Sequence, residues 1–387
     1  MMDFQLSADQ DFMIRTLRDV CKPYGLEYWR EKDRNHEFPT EFWDALGQGG
    51  WLGVTISEEY GGGGLGALDL ALIIEEAAYA GGGSTVSQFF MFAMLQAATL
   101  SRHGTDEQKQ RFLPEIAAGR LDCAIALTEP DAGSNSFAIT TTAKLNGDHY
   151  VLNGQKVWIS GLERAGRVLV VARTSAVVEG GRPSDGMSLF LVDTATPGIE
   201  CTLIEKLGTQ CMTSSSVFLT DVKVPVEDLI GAEGAGWKIL VDTLNIERIV
   251  TTAGSLGAGK LALDIATRYA NERVVFGRPI ASNQGVQYPL AWPRATLESA
   301  TILNYKAAWL FDQGLSSAAE GNMAKMIATD AAFAACDAAM QTHGGYGYAR
   351  EYHIERLWRD ARLFKIAPVT QEMALNYVAQ HVLGLNR

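Results

Sequence analysis

The chain has 387 residues, of which 47% are hydrophobic and 20% are charged, and its formal net charge is -12. This composition is ordinary for a folded globular protein, and an acidic chain without clusters of Lys and Arg is a poor candidate for binding nucleic acid or an anionic membrane. The five cysteines and six histidines form no metal-binding motif, no apolar run could span a bilayer, and no signal segment is evident, so we expect a cytoplasmic protein with reduced thiols and no metal site.

The first third of the chain has the periodicity of helices. Apolar residues recur at helical spacing over residues 10–18, Thr40 is a plausible N-cap, and residues 68–79 are apolar enough for a buried helix. Residues 61–66 match GxGxxG, but no buried strand precedes them, so we interpret them as a turn and not as a dinucleotide site. We predict an N-terminal helical domain over residues 1–120.

The pattern changes near residue 121, where signals of β-structure begin. Asn146-Gly147 and Asn153-Gly154 are typical of hairpin turns, and apolar runs over residues 168–172, 189–192 and 217–224 predict strands. We predict a middle β-domain, a barrel or a sandwich, over residues 121–232.

From Trp237 onward the pattern is helical again. It predicts long helices over residues 239–269, 287–311, 319–342 and 369–382, and four helices joined by short loops indicate a four-helix bundle over residues 233–387. The order of helices, strands and helices indicates an α+β fold and not the alternation of a dinucleotide-binding fold.

Two segments of the middle region could line a cofactor. Residues 126–135 read ALTEPDAGSN and residues 157–160 read VWIS. They resemble the TEPxAGSD and WIT/WIS segments of the acyl-CoA dehydrogenase family, with Asn135 in place of Asp. Backbone N–H groups in the glycine turn and the hydroxyls of Thr128 and Ser134 could donate hydrogen bonds to a flavin ring or a pyrophosphate.

Two further segments lie in the C-terminal region. Residues 272–280 read ERVVFGRPI and resemble the ERxxFGxPI segment of the same family, in which a glutamine follows as Gln284 does here. Residues 341–348 and 355–362, QTHGGYGY and ERLWRDAR, are similar to QxxGGxG followed by ERLxRDAR. Four such segments in the family's order are highly specific, and the likeness covers essentially the entire chain.

The resemblance implies an N-terminal helical domain, a middle β-domain and a C-terminal four-helix bundle, with FAD between the last two. It also implies a homotetramer in which the Arg273 segment reaches the flavin of a neighbour, an acyl-CoA substrate, and an electron-transferring flavoprotein as acceptor. The residues that it assigns to FAD are Leu127, Thr128, Gly133, Ser134, Trp158, Ile159, Ser160, Arg273, Phe276, Gln284, Gln341, Gly344, Gly345, Thr370 and Glu372.

The pattern breaks at the catalytic base. Many family members place a glutamate between ERLxRDAR and the flavin contacts matched by Thr370 and Glu372, but Pro368 occupies that position here. Proline has neither a carboxylate nor a backbone N–H. Isovaleryl- and long-chain-type members instead carry the base in the helix before ERxxFG, which makes Glu247 the candidate base. By the same resemblance, Ser134, Asn245 and Arg248 contact the substrate.

Three functions remain open on the sequence alone. The first is an acyl-CoA dehydrogenase, and the second is a related flavoenzyme that reduces an enoyl-CoA or uses oxygen. The third is a catalytically reduced FAD-binding protein, which Pro368 favours and Glu247 opposes.

Overall fold

The computed structural model describes residues 5–177 and 179–386. The described chain begins with helices, as predicted, and Ser7 and Thr105 start two of them with reciprocal capping boxes. Thr40 was predicted as a cap, which is wrong: it is the first helical residue, after Pro39, and no side chain caps that helix. The helices are α1 (Ala8–Cys21), α2 (Leu26–Asn35), α3 (Thr40–Gln48), α4 (Ala67–Ala77), α5 (Val86–His103) and α6 (Asp106–Ala117).

Helix α5 is apolar on nearly all sides because it is enclosed by other elements. Phe89 is fully buried and its ring lies 5.7 Å from that of Trp29 on α2. On the C-terminal side, Thr99 shares a 2.7 Å hydrogen bond with Thr243. Helix α5 therefore joins the N-terminal helices to the rest of the molecule.

The middle region is one sheet with the order β6-β7-β3-β2-β4-β5-β8, and β1 pairs in parallel with β4. Asn146-Gly147 forms the predicted turn, since Asn146 pairs with His149 across it. Asn153-Gly154 does not form a turn. The strands are β1 (Cys123–Ala126), β2 (Thr142–Asn146), β3 (His149–Ser160), β4 (Arg167–Arg173), β5 (Met187–Asp193), β6 (Ile199–Leu203), β7 (Ser214–Pro225) and β8 (Leu229–Ile230).

Gly154 instead lies in a bulge inside β3. The pairing of β3 with β7 shifts between Leu152 and Gly154, and Gly154 has a φ of 156°. A side chain there would approach Thr141 to 2.4 Å. Glycine is needed here for a bulge and for close packing. Because bulges, close contacts and turns all favour glycine, the Asn-Gly pair by itself does not distinguish them.

The C-terminal region contains three long helices, α7 (Gly236–Glu272), α8 (Gln284–Asp312) and α9 (Ala318–His343), with a two-stranded ribbon of β9 (Val274–Val275) and β10 (Arg278–Pro279) between the first two. The fourth helix was predicted over residues 369–382, and the structure is helical over residues 371–382, with a π-helical last turn at Val378–Val382. Thr370 accepts a hydrogen bond from the Met373 N–H, so α11 (Gln371–Tyr377) begins only after it. The ERLWRDAR segment forms another helix, α10 (Ile354–Phe364).

Helix α10 fastens the three regions together through buried charges. Arg359 binds Asp33 of α2 at 2.7 Å. Asp360 accepts hydrogen bonds from the Thr209 N–H at 2.6 Å and from the Thr85 hydroxyl at 3.0 Å. These contacts fix the junction of the N-terminal helices, the sheet and the bundle, where the candidate site lies.

Candidate active site

A cavity of about 230 Å³ opens at this junction. Its wall combines one face of α5, strand β1, the end of β3, the first half of α7 and the segment after α10. The lining residues are Gln88, Met91, Phe92, Leu95, Gln96, Cys123, Ala124, Ile125, Leu127, Thr128, Trp158, Ile159, Ser160, Leu244, Glu247, Leu363, Phe364, Ala367 and Pro368. Most are apolar, as in sites that take small organic ligands.

The two predicted flavin segments of the sheet meet at this cavity. The Val157 N–H donates to the Thr128 carbonyl at 2.9 Å. Behind them, the buried Lys156 ammonium donates to the Leu127 carbonyl at 3.0 Å and to Glu129 at 2.8 Å. The sequence motifs contain Glu129, but its pairing with Lys156 was not predicted.

Glu129 is a fully engaged carboxylate. Burial opposes its ionisation, but the charge and hydrogen bond of Lys156, the Thr141 N–H and the Thr140 N–H lower its pKa to about 2. Burial lowers the pKa of Lys156 to about 8, and Glu129 opposes that shift. The pair holds both flavin segments in one arrangement.

Trp158 is turned toward the cavity by an irregularity of β3. The pairing with β7 shifts between Lys156 and Ile159, and Trp158 has a φ of 63°, a region that costs a non-glycine residue of order 1–3 kcal/mol. Its side chain is 57% exposed. A large aromatic surface is thus presented at the cavity mouth, where a flat ring could pack against it.

Among the described residues that line the cavity, Glu247 alone has a charged side chain. The residue is 6% exposed, and its Oε2 atom has no hydrogen-bond partner within the described residues. Burial raises the pKa of Glu247 to about 7, against the opposing charges of Arg248 and Lys325. An unpartnered buried carboxyl group that titrates near neutrality can exchange a proton with a bound ligand.

The two predicted substrate contacts beside Glu247 lie together. Arg248 donates to the Leu244 carbonyl at 2.7 Å, to Asn322 of α9 at 3.2 Å and to Asn245 at 3.4 Å. None of these partners is a carboxylate. The third predicted contact, Ser134, is exposed in the turn that also contains Gly133, where open space surrounds the backbone.

Pro368 lines the cavity at the position where the sequence pattern lacks a glutamate. It offers no proton acceptor on its side chain and no N–H to a carbonyl oxygen. The neighbouring Ala367 is small and also lines the cavity. Thr370 caps α11 just beyond, and Glu372 is exposed in its first turn.

The remaining predicted flavin residues form a second group at the far end of α7. The Arg273 guanidinium lies 5.9 Å from the Tyr346 ring, which places the ERVVFGRPI segment beside Gly344 and Gly345. Phe276 is fully exposed, and Gln284 and Gln341 are exposed too. Glu272 lies about 37 Å from Glu247 along α7, because an α-helix rises about 1.5 Å per residue.

Sequence reasoning missed the α5 wall of the cavity. Gln88, Phe92 and Gln96 recur at helical spacing and face the cavity. Because α5 is apolar on nearly all sides, its periodicity does not distinguish the residues facing the cavity from those facing the core. The glutamines inside this apolar run were the available signal.

The comparisons with known proteins agree with the order of the three regions along the chain. Family models described as the N-terminal, middle and C-terminal domains of acyl-CoA dehydrogenase match residues 7–120, 124–222 and 234–383. The chain belongs to the acyl-CoA dehydrogenase family. It is therefore an enzyme, a flavin-dependent oxidoreductase. It has the three-domain fold that the sequence predicted.

Among the relatives of this acyl-CoA dehydrogenase family member is the acyl-CoA dehydrogenase FadE12 of Mycobacterium tuberculosis, 43% identical over 98% of this chain and 97% of that protein. A 3-(aryl)acrylate reductase of Clostridium sporogenes is 36% identical over 97% of this chain and 99% of its own. The structure of glutaryl-coenzyme A dehydrogenase with glutaryl-CoA superposes with a TM-score of 0.95 and 32% identity, over 100% of this chain and 98% of that one.

The described part of the chain contains neither a metal-ligand cluster nor a helix that could cross a membrane. No cluster of three or more metal-ligating side chains occurs over residues 5–177 and 179–386. Across that same part of the chain, no helix combines the length and apolar character needed to cross a membrane.

Proposed function

We propose that this chain catalyses the FAD-dependent α,β-dehydrogenation of an acyl-CoA thioester to the 2-enoyl-CoA. The observation that carries the proposal is Glu247, a buried carboxyl group with an unpartnered oxygen in the cavity that the flavin segments line. Glu247 removes the α-proton, and the bound FAD would supply the acceptor for the hydride that leaves the β-carbon.

The environment of Glu247 suits a general base. The α-proton of a thioester is weakly acidic, and a base works best when its pKa lies near the operating pH. Burial brings the pKa of Glu247 to about 7, so a carboxylate and its conjugate acid are both accessible near neutrality. Pro368, at the other position used in the family, cannot replace it.

The residues at the cavity fit the ring end of FAD. Trp158 offers an exposed aromatic face, and Leu127, Thr128, Ile159 and Ser160 lie beside it. Thr128 and Ser160 carry hydroxyls that could bond a flavin edge. Thr370 and Glu372, which follow the cavity in the chain, and Gly133 and Ser134, in an open turn, complete the proposed FAD contacts of this end.

The distant group fits the phosphate end of a flavin that belongs to a second copy of the chain. Arg273 is exposed and has no carboxylate partner in the described residues, and a guanidinium binds phosphate through two donors. About 37 Å of helix separates this end from Glu247. We therefore propose a homotetramer in which Arg273, Phe276, Gln284, Gln341, Gly344 and Gly345 complete a neighbouring flavin site.

Three finer proposals accompany this function. Ser134, Asn245 and Arg248 contact the CoA thioester, and an electron-transferring flavoprotein reoxidises the enzyme. The domains extend over residues 1–120, 121–232 and 233–387. The protein acts in the cytoplasm.

Replacing Glu247 by Gln tests the base directly. We expect Glu247→Gln to keep the fold, FAD and acyl-CoA binding, because the side chains are nearly isosteric. Reduction of the flavin under anaerobic conditions should fall at least about a hundredfold, the usual scale for losing a positioned base. The probe is the thioester that bleaches the wild-type flavin fastest in a panel of straight- and branched-chain acyl-CoAs.

Glu115→Gln is the matched control, because it makes the same chemical change at an exposed glutamate paired with Arg120. It should leave flavin reduction unchanged. Undiminished reduction in Glu247→Gln would place the base elsewhere and defeat the proposal.

A second candidate is reduction of an enoyl-CoA or a related acrylate, which the 3-(aryl)acrylate reductase favours. The same site could catalyse the reverse reaction, the reduction of the double bond, with protonated Glu247 returning the α-proton. Reoxidation of chemically reduced enzyme by a panel of enoyl-CoAs, compared with the forward rate, separates the two directions. Oxygen consumption in the presence of acyl-CoA would indicate an oxidase.

A further inference from the structure

The charges around Glu247 are unbalanced. Arg248 and Lys325 are the charged groups of the described chain that act on the pKa of Glu247. Across the cavity, the lining residues of α5 are all uncharged, and β1 contributes Cys123, whose pKa burial raises. Within the described residues, α4, α8 and α10 supply no charge that acts on its pKa. Two cations thus accompany one carboxylate.

Lys325 is held in a fixed position by the segment that follows the cavity. It is 1% exposed, and its Nζ atom donates to the Val369 carbonyl at 2.5 Å. Val369 directly follows Pro368, which lines the cavity. Lys325 therefore joins α9 to the cavity segment that lacks the family's glutamate.

The packing of α7 against α9 brings Lys325 close to Glu247. Arg248 of α7 donates to Asn322 of α9, and farther along the same helices Gly259 packs against Ala332, so the two helices run in parallel. Lys325 lies three residues beyond Asn322 and hence on the same face of α9. That face contacts the part of α7 that contains Glu247.

The ammonium carries its charge in the pH range in which Glu247 titrates. Burial lowers the pKa of Lys325 to about 8, and Arg248 acts in the same direction, while Asp330, Glu247 and Glu372 oppose it. The pKa of Glu247 is about 7. Near pH 7 a charged Lys325 therefore acts on a carboxyl group at its titration point.

We propose that Lys325 is a positioning residue of the reaction, whose ammonium keeps Glu247 ionised for proton abstraction while its hydrogen bond holds the Pro368 segment against the cavity. The inference rests on the proposed role of Glu247. The buried charges of Arg248 and Lys325 also favour the negative charge that develops on the thioester oxygen as the proton leaves. Lys325 acts through Glu247 and the Pro368 segment, and it is not among the cavity-lining residues.

Two neutral variants separate the charge from the hydrogen bond. Lys325→Gln keeps a donor for the Val369 carbonyl, whereas Lys325→Met removes the donor as well. Anaerobic flavin reduction is followed from pH 6 to 9 with the thioester selected above. We expect the acid limb, the rise of the rate as Glu247 ionises, to move up by about one pH unit in both variants, the lower end of the effect of a neighbouring charge. From a pKa of about 7 this shift gives a roughly fivefold loss at pH 7 that recovers at pH 9.

Lys206→Met is the matched control. Lys206 is also largely buried, burial lowers its pKa to about 8, and it donates to the Met212 carbonyl, but it lies outside the cavity lining. Its loss should leave the acid limb in place. An unshifted limb in Lys325→Gln would overturn the inference and leave Lys325 as an anchor only.

Two more variants remove the remaining ambiguity. Glu247→Gln should abolish the limb; if the limb survives, the proposed base is wrong, which is a different failure from an unshifted Lys325→Gln. If neither neutral variant retains FAD, Lys325→Arg decides, because it keeps the charge and should keep the wild-type limb. A limb that moves up in Lys325→Arg would overturn the inference.

Discussion

Two buried glutamates, Glu247 in the cavity lining and Glu129 behind it, have opposite environments. Glu129, in the turn after β1, is held by Lys156 and by two backbone N–H groups, and its pKa lies near 2. Glu247, in the first half of α7, has an unpartnered oxygen in the described chain and a pKa near 7. Burial favours the neutral form of both carboxyl groups, so the difference between their pKa values comes from their partners. A paired carboxylate maintains the architecture of the site, and an unpaired one is available for chemistry.

The largest expected effect comes from breaking the paired carboxylate. Glu129→Gln leaves Lys156 buried without a counter-charge, and removing one partner of a buried pair costs about 3–5 kcal/mol. Glu247→Gln should change the free energy of unfolding at pH 7 in the opposite, stabilising direction, because it removes a buried carboxyl group that is partly ionised there. Urea unfolding of both variants measures this contrast, with Glu115→Gln as the exposed control. Equal losses in the two variants would contradict the comparison.

The two glutamates should also differ in how stability depends on pH. The pKa of Glu247 is raised in the folded state, from about 4.5 to about 7, so its contribution is fully present below pH 4.5 and is lost as the pH rises to 7. At about 1.4 kcal/mol per unit, wild type should lose roughly 3 kcal/mol relative to Glu247→Gln between pH 4.5 and 7.

Glu129 has the opposite sign. Its pKa is lowered, so its contribution is present above pH 4.5 and is lost only as the pH falls toward 2. The difference between wild type and Glu129→Gln should therefore narrow as the pH falls from 4.5 toward 2. Unfolding midpoints at several pH values test both statements, and parallel pH curves for the two variants would refute them.

The smallest expected effect extends the comparison to arginines. Arg273 has no carboxylate partner within the described residues, whereas Arg294 pairs with Glu298 at 2.8 Å. If an unpaired exposed arginine is reserved for a phosphate, Arg273→Ala should weaken FAD binding by about 1.5–3 kcal/mol. Arg294→Ala should not. Fluorescence titration of the apoproteins with FAD distinguishes them, and equal FAD affinity in Arg273→Ala and wild type would count against the shared flavin site.

The sequence was most informative where short contiguous segments carry the chemistry. Thr128, Trp158 and Ser160 were predicted from local motifs, and the structure brings them to one cavity. It was misleading where one residue type serves two purposes: Gly154 belongs to a bulge and not to a turn. Gln96, on the cavity wall, was missed because α5 is apolar on nearly all sides.

The sequence by itself determined the order of helices, strands and helices, the family, and Glu247 as the candidate base, because periodicity and motifs are properties of neighbouring residues. Only the tertiary structure decided that Glu247 is buried and unpartnered while Glu129 is paired, and that the charge of Lys325 acts on Glu247. Those relations join residues from different elements. Their free energies depend on burial and on the distance between charges, which no local pattern of residues encodes.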